Sequence, residues 1–142
     1  MLTKEDLDRA RDLLTEIVKK NNRLAIMHSR VTGKAITYHE KVQESVTNSQ
    51  EALLACMADL EKELDADRKE LRELQKEIRA WAETLPPTEK QVIMMRYIVC
   101  LEWNEITDCM AYSPRQVFRF HGDAVRRLDR DEDLETIEKN YD

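Results

Sequence analysis

The sequence predicts an all-α protein in which two long helices precede a group of shorter ones. Glycine occurs 2 times and proline 3 times in 142 residues, too few for the many turns of a β-rich fold. Apolar residues recur at alternating steps of three and four over long stretches, as in helices that bury one face. Charged residues make up 37% of the chain, so we expect much of each helix to face water.

The first predicted helix covers residues 3–30. Thr3 is a suitable N-cap, and Asp6 stands three residues later in place of the usual Glu of a capping box. One apolar seam runs along this helix and consists of Leu7, Ala10, Leu14, Ile17, Leu24 and Val31. The polar residues Asn21 and His28 occupy the remaining seam positions, so the apolar face is continuous except at these two points.

The second predicted helix has the strongest periodicity in the chain. Its seam consists of Leu53, Met57, Leu60, Leu64, Leu71, Leu74, Ile78, Trp81 and Leu85. Only Asp67 interrupts the rhythm, and at 1.5 Å per residue the seam is roughly 50 Å long. Residues 31–47 contain a glycine, several β-branched residues and no helical stripe, so we expect a connector there.

Two seams joined by a connector can pair within one chain as an antiparallel hairpin or between chains as a homodimer. The periodicity favours neither arrangement. Polar residues at seam positions, here Asn21, His28 and Asp67, often fix the register of a coiled coil, but they can equally lie at its edge and reach water. Residues 1–85 are therefore expected to form a coiled-coil arm of one kind or the other.

A different organisation begins at the Leu85-Pro86 bond, because the proline ring disfavours a helical conformation in the residue before it. Three short helices are predicted after it, over about 88–98, 102–109 and 114–128. Ser113-Pro114 is a clear helix start, since Ser caps free N–H groups and Pro at the first position wastes no donor. The predicted fold is thus a long helical (coiled-coil) hairpin followed by a C-terminal three-helix helix-turn-helix module over 86–128.

A pattern of apolar, aromatic and charged residues extends across this module. It consists of Leu85, Glu89, Val92, Arg96, Tyr97, Leu101, Trp103, Glu105, Ile106, Ser113, Val117, Ala124 and Leu128. The pattern resembles region four of bacterial sigma factors, and more closely the RinA/ArpU-like late transcriptional regulators of phages and prophages, in which a long acidic helical segment precedes the same module. The resemblance implies a domain that binds promoter DNA and contacts RNA polymerase.

The chain departs from that family at the turns on either side of the second short helix. The family usually has Gly where Cys100 and Ala111 stand, and Ser or Thr where Glu102 stands. A residue other than Gly in a left-handed turn costs about 1 kcal/mol. Either these turns use other dihedral angles or the chain gives up some stability there.

The third short helix is the basic part of an acidic chain. The net charge of the chain is −6, and the acidity lies in the second long helix and in residues 129–142. The third helix, in contrast, carries four arginines against a single acidic residue, Asp123. Arg115 and Arg119 lie one helical turn apart and share a face with Gln116. In the major groove Arg can read guanine and Gln can read adenine.

The expected DNA-binding residues follow from this face and from the resemblance. They are Ser113, Arg115, Gln116, Phe118, Arg119, Arg126 and Arg127. The resemblance implies base contacts at positions that include Pro114 and Phe118, but Pro114 has no hydrogen-bonding side chain and Phe118 could contact only a thymine methyl. Ser113, Arg126 and Arg127 would hold phosphates and so supply affinity rather than sequence choice. The alternative is that this helix presents a merely solvated basic face.

Several residues with chemical potential have plainer expected roles. Tyr97 and Trp103 are expected in the core, Trp81 in the seam, and His121 as a partly buried spacer rather than a phosphate ligand. Residues 129–142 are expected to form a frayed acidic end, or else to compete with DNA for the arginines. The cysteines are odd in number and lack ligand spacing, so we expect reduced thiols at Cys56, Cys100 and Cys109.

No motif for catalysis is present. The sequence has no Gly-rich phosphate loop, no HExxH and no nucleophilic set, so we expect no enzyme, no catalytic residue, no metal and no cofactor. The N-terminus lacks the apolar core of a signal peptide, and the longest apolar stretch, 92–101, is too short to span a bilayer. A cytoplasmic protein without a membrane partner is therefore expected.

Two functions remain as hypotheses. The main one is a transcription regulator of phage or prophage type that binds double-stranded promoter DNA in a sequence-specific way and recruits RNA polymerase. The coiled coil would then contact polymerase or form a homodimer. The alternative is a coiled-coil interaction protein that binds polymerase or a phage component, and whose helix-turn-helix does not read DNA. Binding of DNA should depend steeply on salt, which separates the two.

Overall fold

The fold is all-α, as predicted. A computed structural model describes residues 2–32 and 43–141, and within these ranges it contains helices and no strand. The elements are α1 Lys4–Val31, α2 Gln43–Ala82, α3 Pro87–Ile93, a π-helical turn Met94–Ile98, α4 Trp103–Met110 and α5 Pro114–Tyr141. In the described ranges no helix combines the length and the apolar character that crossing a membrane requires.

Two boundaries differ from the prediction. Helix α2 begins at Gln43, so residues 43–47, which were expected in the connector, are helical, while 33–42 lie outside the described residues. Helix α5 continues to Tyr141, so the backbone beyond Leu128 is helical where a frayed end was expected. Neither stretch contains a glycine or a proline, so nothing in its sequence stops a helix.

The chain divides into two compact units, and the division does not fall at residue 85. Residues 13–70 form one unit, which we call the arm unit. Residues 1–12 and 71–142 form the other, which we call the head unit. The first turns of α1 and the last turns of α2 thus belong with the short helices, and apolar side chains in and next to these turns are buried. These are Leu2, Leu7, Ala10, Leu71, Ile78, Trp81, Ala82 and Leu85.

In the arm unit, polar contacts connect α1 to α2 within one chain. The Lys20 ammonium lies 2.6 Å from the Asp67 carboxylate and 3.6 Å from that of Glu63. Arg68 donates a hydrogen bond of 2.9 Å to the side-chain oxygen of Asn21. Two of the three polar seam residues, Asn21 and Asp67, therefore have partners on the other helix.

The apolar seam of the arm unit is confirmed in part. The buried residues are Leu13, Ile17, Met57, Leu60 and Leu64. Leu13 is fully buried where the seam was expected to use Leu14, which is half-buried. His28 is exposed, so at this seam position the edge interpretation is correct.

In the head unit, α5 packs against both α3 and α4. The centre of this packing is a cluster of three buried side chains, Val92 of α3, Ile106 of α4 and Val117 of α5. The partly buried residues around the cluster are Met95, Leu101, Trp103, Met110 and Phe120. Each predicted short helix therefore supplies the apolar face that its sequence indicated. Tyr97 is buried as expected, and Trp103 is half-buried.

Local capping fixes the start of α1. The backbone N–H of Thr3 donates to the Asp6 carboxylate at 2.9 Å, and the N–H of Asp6 donates to the Thr3 hydroxyl at 3.3 Å. These reciprocal bonds satisfy two of the backbone donors that every helix N-terminus leaves free. The predicted capping box with Asp in place of Glu is confirmed.

The turns on either side of α4 are left-handed at residues that are not glycine. Cys100 has a φ of 64° and Ala111 a φ of 56°. Ala111 ends α4, and its N–H donates to the Thr107 carbonyl at 3.0 Å. These are the two positions at which the resembled family has glycine. The chain therefore does not use other dihedral angles at these turns. It keeps the left-handed conformation with residues other than glycine, at a cost in stability.

We expect Ala111→Gly to raise the free energy of unfolding by about 0.5–1 kcal/mol. Glycine removes a left-handed cost of about 1–2 kcal/mol and returns about 0.4–1 kcal/mol through the greater entropy of the unfolded chain. Urea denaturation of both proteins measures the difference. Ala80→Gly is the matched control, because Ala80 is exposed within helix α2 and there the same change should cost about 1 kcal/mol. Equal destabilisation by both variants would contradict the left-handed assignment.

Candidate nucleic-acid interface

The candidate interface begins at the N-terminus of α5, which a capping box fixes. The Ser113 hydroxyl accepts a hydrogen bond of 3.3 Å from the backbone N–H of Gln116. In return, the backbone N–H and the hydroxyl of Ser113 both donate to the Gln116 side-chain oxygen, each at 3.2 Å. Sequence reasoning identified Ser113 as the cap but not Gln116 as its partner. Ser113 and Gln116 therefore both cap the N-terminus of α5, whether or not they also contact a ligand.

Arg115 and Arg119 lie on the outward face of the first turns of α5. Both are exposed, and they are on the opposite side of the helix from Val117, which is buried against α3 and α4. Neither forms an ion pair or a hydrogen bond with a side chain that the structure describes, those of residues 2–32 and 49–131, although acidic residues outnumber basic ones in the chain. Two positive charges about one helical turn apart are thus exposed on this face of α5.

Phe118 lies beside these arginines and is half exposed. Its accessible fraction is 50%, although it is a large apolar side chain. The inner part of its ring packs on Trp103 of α4, with ring centroids 4.9 Å apart. Trp103 also receives the Arg96 guanidinium over its ring at 4.2 Å. Phe118 therefore presents a fixed apolar edge to the outside.

Arg126 and Arg127 have partners within the chain, whereas Arg115 and Arg119 have none among the side chains that the structure describes. Arg126 forms an ion pair with Asp123, one turn earlier on α5. Arg127 donates from its Nε to the Glu89 carboxylate at 3.0 Å, and Glu89 is buried on α3. Arg127 therefore fastens α5 to α3, a role that sequence reasoning missed when it assigned this residue to a phosphate. Its side chain remains 51% exposed, so a phosphate contact would be additional to this role.

His121 is a partly buried spacer, as expected. Its Nε2 lies 2.6 Å from the Tyr97 hydroxyl, and the Trp103 ring meets it edge-on at 4.9 Å. Burial lowers the pKa of His121, and the nearby Arg96 charge lowers it further. Burial also raises the pKa of Tyr97 to about 12. Both groups are therefore neutral at neutral pH and share one hydrogen bond in the core.

Two arginines hold the turn before α4: Arg96, which belongs to the pattern of the resemblance, and Arg11, which the sequence did not single out. Arg11 donates to the Arg96 carbonyl at 2.9 Å and to the Leu101 carbonyl at 3.2 Å. Arg96 donates to the same Leu101 carbonyl at 3.2 Å. Arg11 also pairs with Glu102 at 3.3 Å. The Arg96 carbonyl lies in the π-helical turn and the Leu101 carbonyl lies just before α4, where regular helical partners are missing. The two guanidinium groups donate the hydrogen bonds that these carbonyls would otherwise lack.

The surroundings of the interface carry no sign of a metal site or a disulfide. Among the side chains that the structure describes, those of residues 2–32 and 49–131, no group of three His, Cys, Asp or Glu is placed to hold a metal ion. The cysteines are free thiols, and burial raises the pKa of Cys100. Comparison with known proteins adds nothing, because no family model, curated protein or solved structure matches this chain.

We expect the stability of the head unit to fall as the pH drops below about 6.5. The pKa of His121 is lowered from 6.5 in the folded chain, so below that pH the unfolded chain binds a proton that the folded chain resists. Thermal unfolding from about pH 7.5 to about pH 5.5 should therefore show a steeper loss of Tm in the wild type than in His121→Gln. His28→Gln, which removes an exposed histidine, should behave as the wild type. If Tm fell with pH equally in the wild type and in His121→Gln, His121 would not be the cause of the loss of stability.

We expect Arg127→Ala to lower the free energy of unfolding by about 1–3 kcal/mol, because it leaves the buried Glu89 carboxylate without its partner. Arg130→Ala removes an exposed arginine from the same helix and should change stability by no more than about 0.5 kcal/mol. Chemical denaturation of the two variants makes the comparison. An Arg127→Ala protein as stable as Arg130→Ala would mean that the ion pair contributes nothing.

Proposed function

We propose that this chain is a sequence-specific DNA-binding transcription regulator of phage or prophage type, which binds promoter DNA and recruits RNA polymerase without catalysing a reaction. The single observation that carries the proposal is the face of α5 that contains Arg115 and Arg119. These are exposed arginines with no partner among the described residues, on a helix whose other face is fixed in a core. Exposed, unpaired guanidinium groups on a rigid helix suit contact with phosphates and base edges.

The proposal takes α4, the turn at Ala111 and α5 as a helix-turn-helix, with α5 as the recognition helix. Three features support this assignment. A left-handed residue ends α4, a Ser-Pro start follows within three residues, and α5 packs on α3 and α4 through one apolar face. In helix-turn-helix proteins, residues near the N-terminus of the second helix contact base edges in the major groove. Arg115, Phe118 and Arg119 occupy that region of α5.

The arm has its own part in the proposal. We take α1 and α2 to form a coiled-coil hairpin, which the Lys20–Asp67 and Asn21–Arg68 contacts within one chain support. Such a hairpin would contact RNA polymerase or a second copy of the chain. Regulators that act by recruitment need one surface for DNA and another for the partner, and the proposal assigns the first to the head unit and the second to the arm unit.

A second candidate function rests on the arm unit. Its large apolar side chains Val18, Ile26 and Leu54 are between 50% and 56% exposed. Apolar side chains exposed along a helix pair are typical of a surface that binds another protein. On this alternative the chain is a coiled-coil interaction protein that binds polymerase or a phage component, and α5 does not read DNA.

The deciding experiment is DNA binding as a function of salt. Duplexes are selected from a random pool with the full chain, and the Kd of the best one is measured by fluorescence anisotropy from about 50 mM to about 200 mM salt. We expect affinity to fall steeply with salt, in proportion to the phosphates contacted. Arg115→Ala and Arg119→Ala should each weaken specific binding by about 1–3 kcal/mol.

Arg130→Ala is the matched control for these variants. It removes the same charge from an exposed position on α5, about 16 Å beyond Arg119, and should leave the sequence preference unchanged. Two outcomes would rule out the DNA-reading function and favour the interaction protein. One is a selection that enriches no sequence, and the other is a double Arg115→Ala, Arg119→Ala variant that binds DNA as well as the wild type.

A further inference from the structure

The side-chain amide of Gln116 can act on an external ligand only as a hydrogen-bond donor. A backbone N–H can only donate, so the Gln116 atom that faces the Ser113 N–H must be the oxygen. The same oxygen accepts from the Ser113 hydroxyl, also at 3.2 Å. An amide oxygen has two lone pairs, and Ser113 occupies both. Only the NH₂ group of Gln116 is left for a ligand.

The neighbouring side chains on this face also lack acceptors. The guanidinium groups of Arg115 and Arg119 carry five N–H donors each and no acceptor. Phe118 offers an apolar ring edge, half exposed beside them. Pro114, at the first position of α5, has no polar side chain. The outward face of the first turns of α5 is therefore made of donors and one apolar group.

We propose that α5 reads only the acceptor atoms and the methyl groups of the major groove, so that its target is defined by guanine and thymine and never by the amino groups of adenine or cytosine. This inference rests on the proposed function and names the class of sequence that α5 recognises. Guanine presents two acceptors, N7 and O6, and thymine presents O4 and a methyl group, whereas the amino groups of adenine and cytosine require an acceptor from the protein. The bidentate reading of adenine by glutamine, which the sequence suggested, is excluded because it needs the amide oxygen.

The spacing along α5 adds a prediction about the arrangement of the target. Arg115 and Arg119 are four residues apart, which corresponds to about 6 Å along the helix axis. Successive base pairs rise about 3.4 Å, so the two guanines should lie within about two base pairs of each other. Phe118 precedes Arg119 by one residue, and a thymine methyl should therefore lie next to one of these guanines.

Base analogues in the selected duplex test the inference atom by atom. Replacing each guanine in turn with 7-deazaguanine removes one acceptor and should weaken binding about fivefold or more at two positions. Replacing the adjacent thymine with deoxyuridine removes the methyl group and should weaken binding about threefold to fourfold. Replacing any adenine with 2′-deoxynebularine, which lacks the amino group, should leave the Kd unchanged, because Arg115, Gln116, Phe118 and Arg119 offer no acceptor to receive that donor.

The variant Gln116→Glu supplies the converse test. Glutamate preserves the capping box, since one carboxylate oxygen still accepts from Ser113, but it turns an acceptor towards the DNA in place of the NH₂ donor. Selection with this variant should gain a preference for cytosine or adenine at one position at which the wild type has none. Circular dichroism and a thermal melt establish that the variant is folded. A variant selection identical to that of the wild type would show that residue 116 does not face the bases.

The outcomes separate this inference from the function on which it rests. If the full chain selects no sequence and binds no duplex in a salt-dependent way, both are overturned. If it binds a selected duplex and loses affinity when an adenine amino group is removed, the transcription regulator stands and the donor-only reading is wrong. If only guanine and thymine substitutions weaken binding, both are supported.

Discussion

The burial of Val117 against Val92 and Ile106 is the constraint on which the rest of the head unit depends. A helix is rigid about its axis, so fixing one residue of α5 in the core determines which way every other residue points. Arg115 and Arg119 lie opposite Val117 and face outward for that reason alone. Phe118 lies between these two directions, and its ring is accordingly shared between Trp103 and the solvent. The chemistry of the outer face is thus a consequence of one apolar contact on the inner face.

Six arginines of the head unit fall into two groups according to their partners. Arg11, Arg96, Arg126 and Arg127 have partners on the protein. Arg127 in particular compensates the buried carboxylate of Glu89, and an unpaired charge in that position would be costly. Arg115 and Arg119 have no partner among the described residues, although the chain carries a net charge of −6. In so acidic a protein, two exposed arginines without an acidic partner indicate a binding surface better than the total number of arginines does.

The sequence predicted those parts of the molecule that depend on near neighbours. The caps at Thr3 and Ser113 involve residues three apart, and the apolar faces of α3, α4 and α5 repeat within a few residues, so both were visible in the order of amino acids. The all-α class and the exposure of Arg115 and Arg119 follow from the same local patterns.

The parts that escaped prediction depend on residues far apart in the chain. Arg127 meets Glu89 across 38 residues, and Arg11 meets the carbonyls of the α4 turn across 85 and 90 residues. No local pattern marks such pairs. The seam also shifted from Leu14 to Leu13, because the direction in which a side chain is buried depends on what packs against the helix. At Gln116 the residue type was known, but the orientation of its amide was fixed only by the atoms around it.

The continuity of α5 has an electrical consequence. The helix that begins with Arg115 and Arg119 runs on to Tyr141, and over residues 129–141 acidic residues outnumber basic ones by four. The element is therefore a rod, positive at its front and negative at its rear, and Asp131 is held about 18 Å along the axis from Arg119 instead of folding back on it. In the field of a polyanion such a rod experiences a torque that turns its positive end forward. The acidic end would then be repelled by the polyanion, which would orient the helix with its arginines towards the polyanion during their encounter.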